Sequence, residues 1–292
     1  MLSRRSFLKL AWRLLLASVA IPAYATGVEA MGRPDVVTFR FTPPGWGRGK
    51  TMRIVTLADF HACTPWMTEN RIAAICDQAN ALQPDLILLL GDYLVEMKPS
   101  LGPVPPEGWA NALSRLAAPL GVHAILGNHD YSDDEAYQAD ATREPVAATV
   151  LKERDIAVYI NDAVRLEKDG QAFWLAGLGD QLSYDGAGRI DDIEAVAAKI
   201  TDDAPVILMA HEPDFFMRGD PRFNCVLSGH THGGQINLFG WRPVAASRGS
   251  RIYPVGHYRE EGRDLFVSRG LGCTGIPLRL GSWPEIMVIE IG

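Results

Sequence analysis

Five short apolar runs in this chain each break off into a turn that begins with a side chain able to bind a metal. Residues 52–58 lead to Asp59 and His61, 86–90 to Asp92, and 122–126 to Asn128 and His129. Residues 205–210 lead to His211, and 225–227 to His230 and His232. Short apolar runs bounded by turn signals read as buried strands. The first two flank a segment, 68–82, whose Ile72, Ile75, Cys76, Ala79 and Leu82 fall on one helical face, with Thr68 placed to cap it. Such a strand–helix–strand unit takes a right-handed crossover and sets its two strands parallel, nearly always in one sheet. Asp59, His61 and Asp92 therefore emerge at one sheet edge, and in open α/β sheets ligands bind outside the carboxyl ends of the strands. A single polar residue after a strand is an ordinary cap or turn residue. Five such ends, taking up five of the seven histidines, call for a common purpose.

The densest of the five is Ser228-Gly229-His230-Thr231-His232-Gly233-Gly234. Glycines let the backbone turn tightly and approach a ligand closely. Two imidazoles two residues apart on such a turn aim at one point, and imidazole is the commonest protein metal ligand. Counted together, Asp59, His61, Asp92, Asn128, His211, His230 and His232 offer seven N/O donors. That is too many for one ion and right for two sharing a carboxylate. Two ions roughly 3.5–4 Å apart can hold both the attacking and the leaving oxygens of an in-line phosphoryl displacement, and they lower the pKa of bound water toward about 7. With no thiolate in the set, Mn, Fe, Zn, Co and Ni all remain open.

The rest of the chain bounds the setting. Its 292 residues, 47% hydrophobic and 22% charged, give ample core for one large domain or two small ones. A net charge of −7 with no basic cluster argues against a nucleic-acid polymer as partner. Four cysteines without Cys-x-x-Cys spacing carry no zinc-ribbon or thioredoxin signal, and free thiols are expected. Ser3-Arg4-Arg5-Ser6-Phe7-Leu8-Lys9 matches the twin-arginine export pattern, and Ala23-Tyr24-Ala25 offers an Ala-x-Ala cleavage site. Arg13 leaves the apolar run too short to span a bilayer. Residues 1–25 are thus expected to be a signal peptide, passing the protein to the twin-arginine export machinery already folded. A periplasmic or exported location follows, with membrane association open.

Residues 26–50 read as an N-terminal extension with an edge strand over 35–42, and 51–292 as the main domain. Proline and glycine make 99–108 a loop, with a helix over about 109–117. Ser132 and Glu135 form a capping box, and Pro145 kinks or splits the helical tract that follows. Short strands over 156–178, turning at Lys168-Asp169-Gly170, mark a second sheet. His123, inside a strand, is expected to be a satisfied sheet histidine. The loop Leu238-Phe239-Gly240-Trp241-Arg242 is expected to pack on the domain, the other reading being a surface for a lipid or glycan phosphate. Arg242, Arg248, Arg269 and Arg279 are candidates for phosphate contacts, with solvated surface as their ordinary state. The specificity loops, 93–110, 180–190 and 235–260, carry no readable code.

In this order, Asp-x-His, Gly-Asp, Gly-Asn-His-Asp, a lone His after a strand and Gly-His-x-His resemble the calcineurin-like metallophosphoesterases. Leu90-Gly91-Asp92-Tyr93, Ser268-Arg269-Gly270 and Pro277-Leu278-Arg279 are similar to the bacterial YaeI/YkuE phosphodiesterase group within that family. The resemblance implies a four-layer α/β/β/α sandwich of two mixed sheets. It implies that Asp59, His61 and His232 hold one metal, that Asn128, His211 and His230 hold a second, and that Asp92 bridges them. His129 would be a catalytic histidine that is not a ligand, acting on the phosphate or leaving oxygen, and Asp130 would orient it. The implied reaction is hydrolysis of a phosphate ester, most simply a cell-envelope phosphodiester, by hydroxide on a dinuclear metal centre. A lipid- or glycan-linked substrate and peripheral membrane contact are compatible with it. A UDP-diacylglucosamine-type nucleotide-lipid pyrophosphatase and a non-catalytic metal-binding scaffold are the alternatives.

Overall fold

Strands and helices alternate along the chain and sort into two six-stranded sheets packed face to face in a computed structural model that describes residues 3–95, 97–182 and 190–292. Part of the expected specificity loops, residue 96 and residues 183–189, lies outside the described residues. The strands are β1 (Asp35–Phe41), β2 (Met52–Leu57), β3 (Leu86–Leu89), β4 (Val122–Ala124), β5 (Ala157–Val158) and β6 (Asp162–Lys168). They continue with β7 (Gln171–Gly177), β8 (Val206–Met209), β9 (Cys225–Ser228), β10 (Gly256–Glu260), β11 (Arg263–Val267) and β12 (Glu285–Ile291). The first sheet has the order β1-β12-β2-β3-β4-β5, and the second β10-β11-β9-β8-β7-β6. Both are mixed. In the first, β12 is antiparallel to β2 while β2, β3 and β4 run parallel. In the second, β9 and β8 run parallel beside the antiparallel β6–β7 hairpin. The 26–50 segment joins the first sheet through β1, its outermost strand, paired in parallel from Asp35 opposite Glu285 to Phe41 opposite Ile291.

The helices are α1 (Arg4–Tyr24), α2 (Glu69–Asn80), α3 (Pro106–Leu113), α4 (His129–Ser132), α5 (Glu135–Ala139), α6 (Val146–Lys152), α7 (Ile193–Lys199) and α8 (Arg248–Ile252). Ile54, Leu86 and Leu88 of the first sheet meet Leu175, Ile207, Met209 and Leu227 of the second in a core between the sheets. Ile72, Ile75, Trp109, Leu113 and Leu151 bury α2, α3 and α6 against the outer face of the first sheet. Val196, Phe215 and Phe216 cover the outer face of the second. Each buried side chain of this size contributes about 1.5–3 kcal/mol. The four-layer α/β/β/α sandwich is therefore the observed architecture, and it sets the carboxyl ends of β2, β3, β4, β8 and β9 along one edge.

Several local expectations need correction. The proline-rich segment starts α3 rather than ending before it, because a proline in the first helical turn gives up no needed N–H. Asp134, not Ser132, caps α5 by accepting from the Ala136 and Tyr137 amides. Pro145 splits the tract outright and stands at the N-cap of α6. Arg13 does not interrupt α1. The helix runs through it and is long and apolar enough to cross a membrane by length and composition. It continues past Ala25 into a wider π-type turn, Ala25–Glu29, that packs on the domain. His123 is satisfied as expected, between the Tyr159 hydroxyl and the Leu120 carbonyl. All four cysteines are free and buried. The 238–242 loop packs on the domain only through Arg242, which is half-buried and donates to the Gly233 carbonyl, while Leu238, Phe239 and Trp241 are exposed.

Candidate metal centre

The ends of β2, β3 and β9 deliver their side chains through a backbone held in an uncommon conformation. Asp59, His61, Asp92, His230 and His232 all have φ between 46° and 66°. Few L-residues adopt this left-handed region, and strain of this kind persists only where the surroundings enforce it. Here the enforcement is visible. The loops after β2 and β3 run side by side, with the Asp59 amide donating to the Gly91 carbonyl and the His61 amide to the Asp92 carbonyl. Two glycines make the room. A Cβ on Gly127 would lie 2.4 Å from Asp92 Oδ1, and one on Gly270 would lie 2.4 Å from Asp59 Oδ2.

Two groups of ligand atoms result. Asp59, His61, Asp92 and His232 form one, and Asp92, His211 and His230 form the other, each with its atoms within 4.8 Å of one another. Asn128 joins the second, its Oδ1 3.0 Å from His230 Nδ1. Asp92 belongs to both through one atom: its Oδ2 lies 3.5 Å from His61 Nε2 and 3.1 Å from His211 Nε2. The structure thus brings all seven predicted ligand residues together.

The donors are ready for cations. His61 Nδ1 donates to the Leu94 carbonyl and His211 Nδ1 to the Leu90 carbonyl, at 2.9 and 2.6 Å. A carbonyl only accepts, so these contacts fix the proton on Nδ1 and turn Nε2 inward, as the hydrogen-bond partners of metal-bound histidines do. Among the described residues, Asp59 Oδ2 and His230 Nε2 are buried and lack hydrogen-bond partners. Buried polar atoms of this kind are expensive unless something else satisfies them. Two divalent ions fit this donor set.

Electrostatics agree. Burial pushes His61 down to about 4 and His230 to about 3, so both are neutral at pH 7 with no proton to displace. Burial, His61 and Arg279 hold His232 well below its usual value. Burial raises Asp59 to about 7. Burial also opposes charge on Asp92, but His211 and then His129 outweigh it and hold the carboxyl well below its usual range. Burial opposes charge on His211 too, and Asp92 overcomes it, raising His211 well above its usual value. A cation placed between Asp92 and His211 would take over the role of that proton.

His129 lies at the mouth, its ring centroid 4.9 Å from that of His61. Here one assigned role changes. Asp130 does not orient His129. Its carboxylate accepts from the amides of Asp92, Tyr93, Leu94 and Gly127 at 2.8–3.1 Å, which fixes the turns carrying Asp92 and Asn128. Asp130 immediately follows His129 and its side chain turns inward. The residue one helical turn on, Asp133, meets His129 Nδ1 at 2.7 Å. The i,i+4 spacing His129–Asp133 was available as a sequence signal. Thr274, whose Oγ1 lies 3.1 Å from His129 Nε2, had none, because it arrives from a loop 145 residues away. Behind His232, Ser282 Oγ donates to its carbonyl, and the buried Arg279 guanidinium holds the Gly272, Ser282 and Arg269 carbonyls. Arg279 is therefore a structural residue, and Arg269 pairs with Glu285 at 2.6 Å.

A two-group cluster sharing one carboxylate oxygen, at the edge of a four-layer sandwich, narrows the candidates to one family, and residues 52–234 match the family described as calcineurin-like phosphoesterase. The chain belongs to that family. It is a hydrolase acting on ester bonds, in a metal-dependent family. Among its relatives, the uncharacterised metallophosphoesterase YkuE of Bacillus subtilis is 29% identical over 99% of this chain and 98% of its own length. Phosphodiesterase YaeI of Escherichia coli is 29% identical over the full length of both. A Bos taurus transmembrane protein with metallophosphoesterase domain is 30% identical over 93% of this chain and 57% of its own length.

Proposed function

We propose that this chain is a phosphodiesterase that hydrolyses a cell-envelope phosphate diester on a dinuclear metal centre. The observation that carries the reading is Asp92 Oδ2 facing both donor groups. Asp59, His61 and His232 would hold one divalent ion with Asp92, and Asn128, His211 and His230 the other. The ions would supply Lewis-acid polarisation and a water nucleophile available at neutral pH.

The chain's own residues supply the rest. The strained loops hold the donors in place before substrate arrives, so no reorganisation is needed at the moment of reaction. His129 holds its proton at neutral pH. Burial opposes the charge, but Asp92, then Asp133 and Asp130, raise its pKa to about 9. From the mouth of the site, Nε2 can hydrogen-bond to the phosphate or protonate the departing oxygen. Export by the twin-arginine route is supported by Ser3-Arg4-Arg5-Ser6-Phe7, which opens α1 with Ser3 as its N-cap. That reading favours an envelope substrate over one facing the cytoplasm.

The test is hydrolysis of bis(p-nitrophenyl) phosphate by Mn-loaded protein beside Asp92→Asn. A neutral amide cannot bridge two cations, so turnover should fall on the order of 10³-fold with reduced metal content. Equal turnover in mutant and parent would mean a contaminating activity and remove the bridging role. Turnover confined to a detergent-dispersed lipid pyrophosphate would shift the reading to the pyrophosphatase class.

A further inference from the structure

The rim of the metal site carries apolar side chains that the domain leaves uncovered. Phe239 is fully exposed at the tip of the loop that follows the His230–His232 turn, and Trp241 is 62% and Val244 66% exposed beside it. Ile276 is half exposed on the Thr274 loop. These two loops form one surface. The Asn237 amide donates to the Leu280 carbonyl, and Gln235 bonds to both the amide and the carbonyl of Thr274. Thr274 in turn touches His129, so the apolar rim stands directly beside the proposed catalytic groups. Contiguous exposed apolar surface rimmed by polar groups marks a contact site.

The charge of the rim is as distinctive as its apolarity. From Gln235 to Arg259 the sequence has four arginines and no Asp or Glu, within a chain of net charge −7. Arg242 and Arg251 line a cavity together with Trp241 and Thr231. Aromatic side chains beside arginine suit the boundary between lipid headgroups and acyl chains.

A third observation names the occupant. None of α1's residues is buried by the domain, and Phe7, Leu8, Trp12, Leu14, Leu15 and Leu16 are exposed along it. At about 1.5 Å per residue such a helix is roughly 30 Å long, the thickness of a bilayer's hydrocarbon core. It leaves the domain from this same rim. The Ala25 carbonyl accepts from the Arg279 amide, and the buried Glu29 carboxylate accepts from the Ser282 amide at 2.7 Å. The Thr26 carbonyl accepts from Trp66 Nε1, and the Ala30 and Gly32 carbonyls from Arg71. Residues 25–32 are thus fastened to the wall behind His232 through the buried Ala25, Glu29 and Ala30, and backbone held in hydrogen bonds is a poor protease substrate. The bilayer that α1 enters must lie at the metal-site end of the molecule.

We infer that α1 stays attached and that the Phe239–Val244 loop docks on the surface of an anionic bilayer, so that the metal centre opens onto the lipid headgroups. With Arg4, Arg5 and Lys9 at the start of α1, the positive-inside rule leaves the catalytic domain on the outer face. The inference deepens the envelope reading of the substrate, but its test needs no turnover. Full-length chain carrying Phe239→Cys is labelled with a fluorophore and placed, one copy per disc, in nanodiscs of phosphatidylethanolamine and phosphatidylglycerol with spin-labelled lipid. Asp169→Cys, at the β6–β7 turn on the opposite end, is the reference. The expected result is strong quenching at position 239 and none at 169. Phe239→Ser with Trp241→Ser should abolish quenching of a probe at Ile276→Cys while hydrolysis of the soluble diester is unchanged. No quenching at 239, or equal quenching at both positions, overturns the proposal. Shielding of the 239 probe that requires two copies per disc assigns the patch to self-association and also overturns it.

Discussion

On the floor of the site, from Asp59 to His232, charged and polar side chains are buried in strained backbone. A few residues further, from Leu238 to Val244, large apolar side chains stand in solvent. Both regions invert the usual distribution of residues, and each inversion calls for something outside the chain. The floor has donor atoms without acceptors or protons, which two cations would satisfy. The rim has apolar surface without cover, which a bilayer would satisfy. The difference is in what holds each region when its partner is absent. The floor is tied by backbone hydrogen bonds on every side, whereas the loop tip is tied mainly at its base, by Asn237 Oδ1 to the Gly240 amide and by the Leu238–Trp241 pair.

That contrast can be broken at the floor most severely. Asp130→Ala leaves four amides without their acceptor next to Asp92 and Asn128. It should destabilise the metal-free protein by at least about 3 kcal/mol in chemical denaturation. A variant of parental stability would mean that the four contacts do not hold the floor.

A milder break is Asp133→Asn. It removes one of the three carboxylates, Asp92, Asp133 and Asp130, that hold the His129 proton, so the pKa of about 9 should fall in an imidazole NMR titration of metal-free protein. The folded value lies above the ordinary 6.5. The stability this charge contributes is therefore complete below pH 6.5 and is lost as pH rises through 9. Metal-free parent should accordingly lose more stability than Asp133→Asn between pH 7 and 10. Turnover of the diester should drop roughly 10- to 100-fold in this variant, part of what a positioned general acid contributes. An unchanged titration would return the orienting role to another group.

The smallest effect belongs to the rim. Phe239→Ser should change unfolding stability in solution by no more than about 0.5 kcal/mol, because Phe239 is fully exposed. A larger loss would mean that the tip is part of the core and would blur the distinction between the two regions.

Much of the floor was legible because its information is local. An apolar run followed at once by Asp or His places a side chain at a strand end, and crossover handedness then places several ends on one edge. This is why Asp59, His61, Asp92, Asn128, His211, His230 and His232 could be gathered without coordinates. Asp130 was assigned to the wrong task because adjacency in sequence is not adjacency of side chains. On α4 the partner of His129 lies one turn on, at Asp133, while Asp130 faces the loop after β3.

The sequence by itself determined the strands that lead to the site, the cluster of candidate metal donors and the family resemblance, because these depend on periodicity and on residue type at strand ends. Only the tertiary structure decided that one oxygen of Asp92 faces both donor groups, that Thr274 meets His129, and that Ala25 and Glu29 are fastened behind His232. Those contacts join segments up to 253 residues apart, and no local pattern encodes where two distant loops meet.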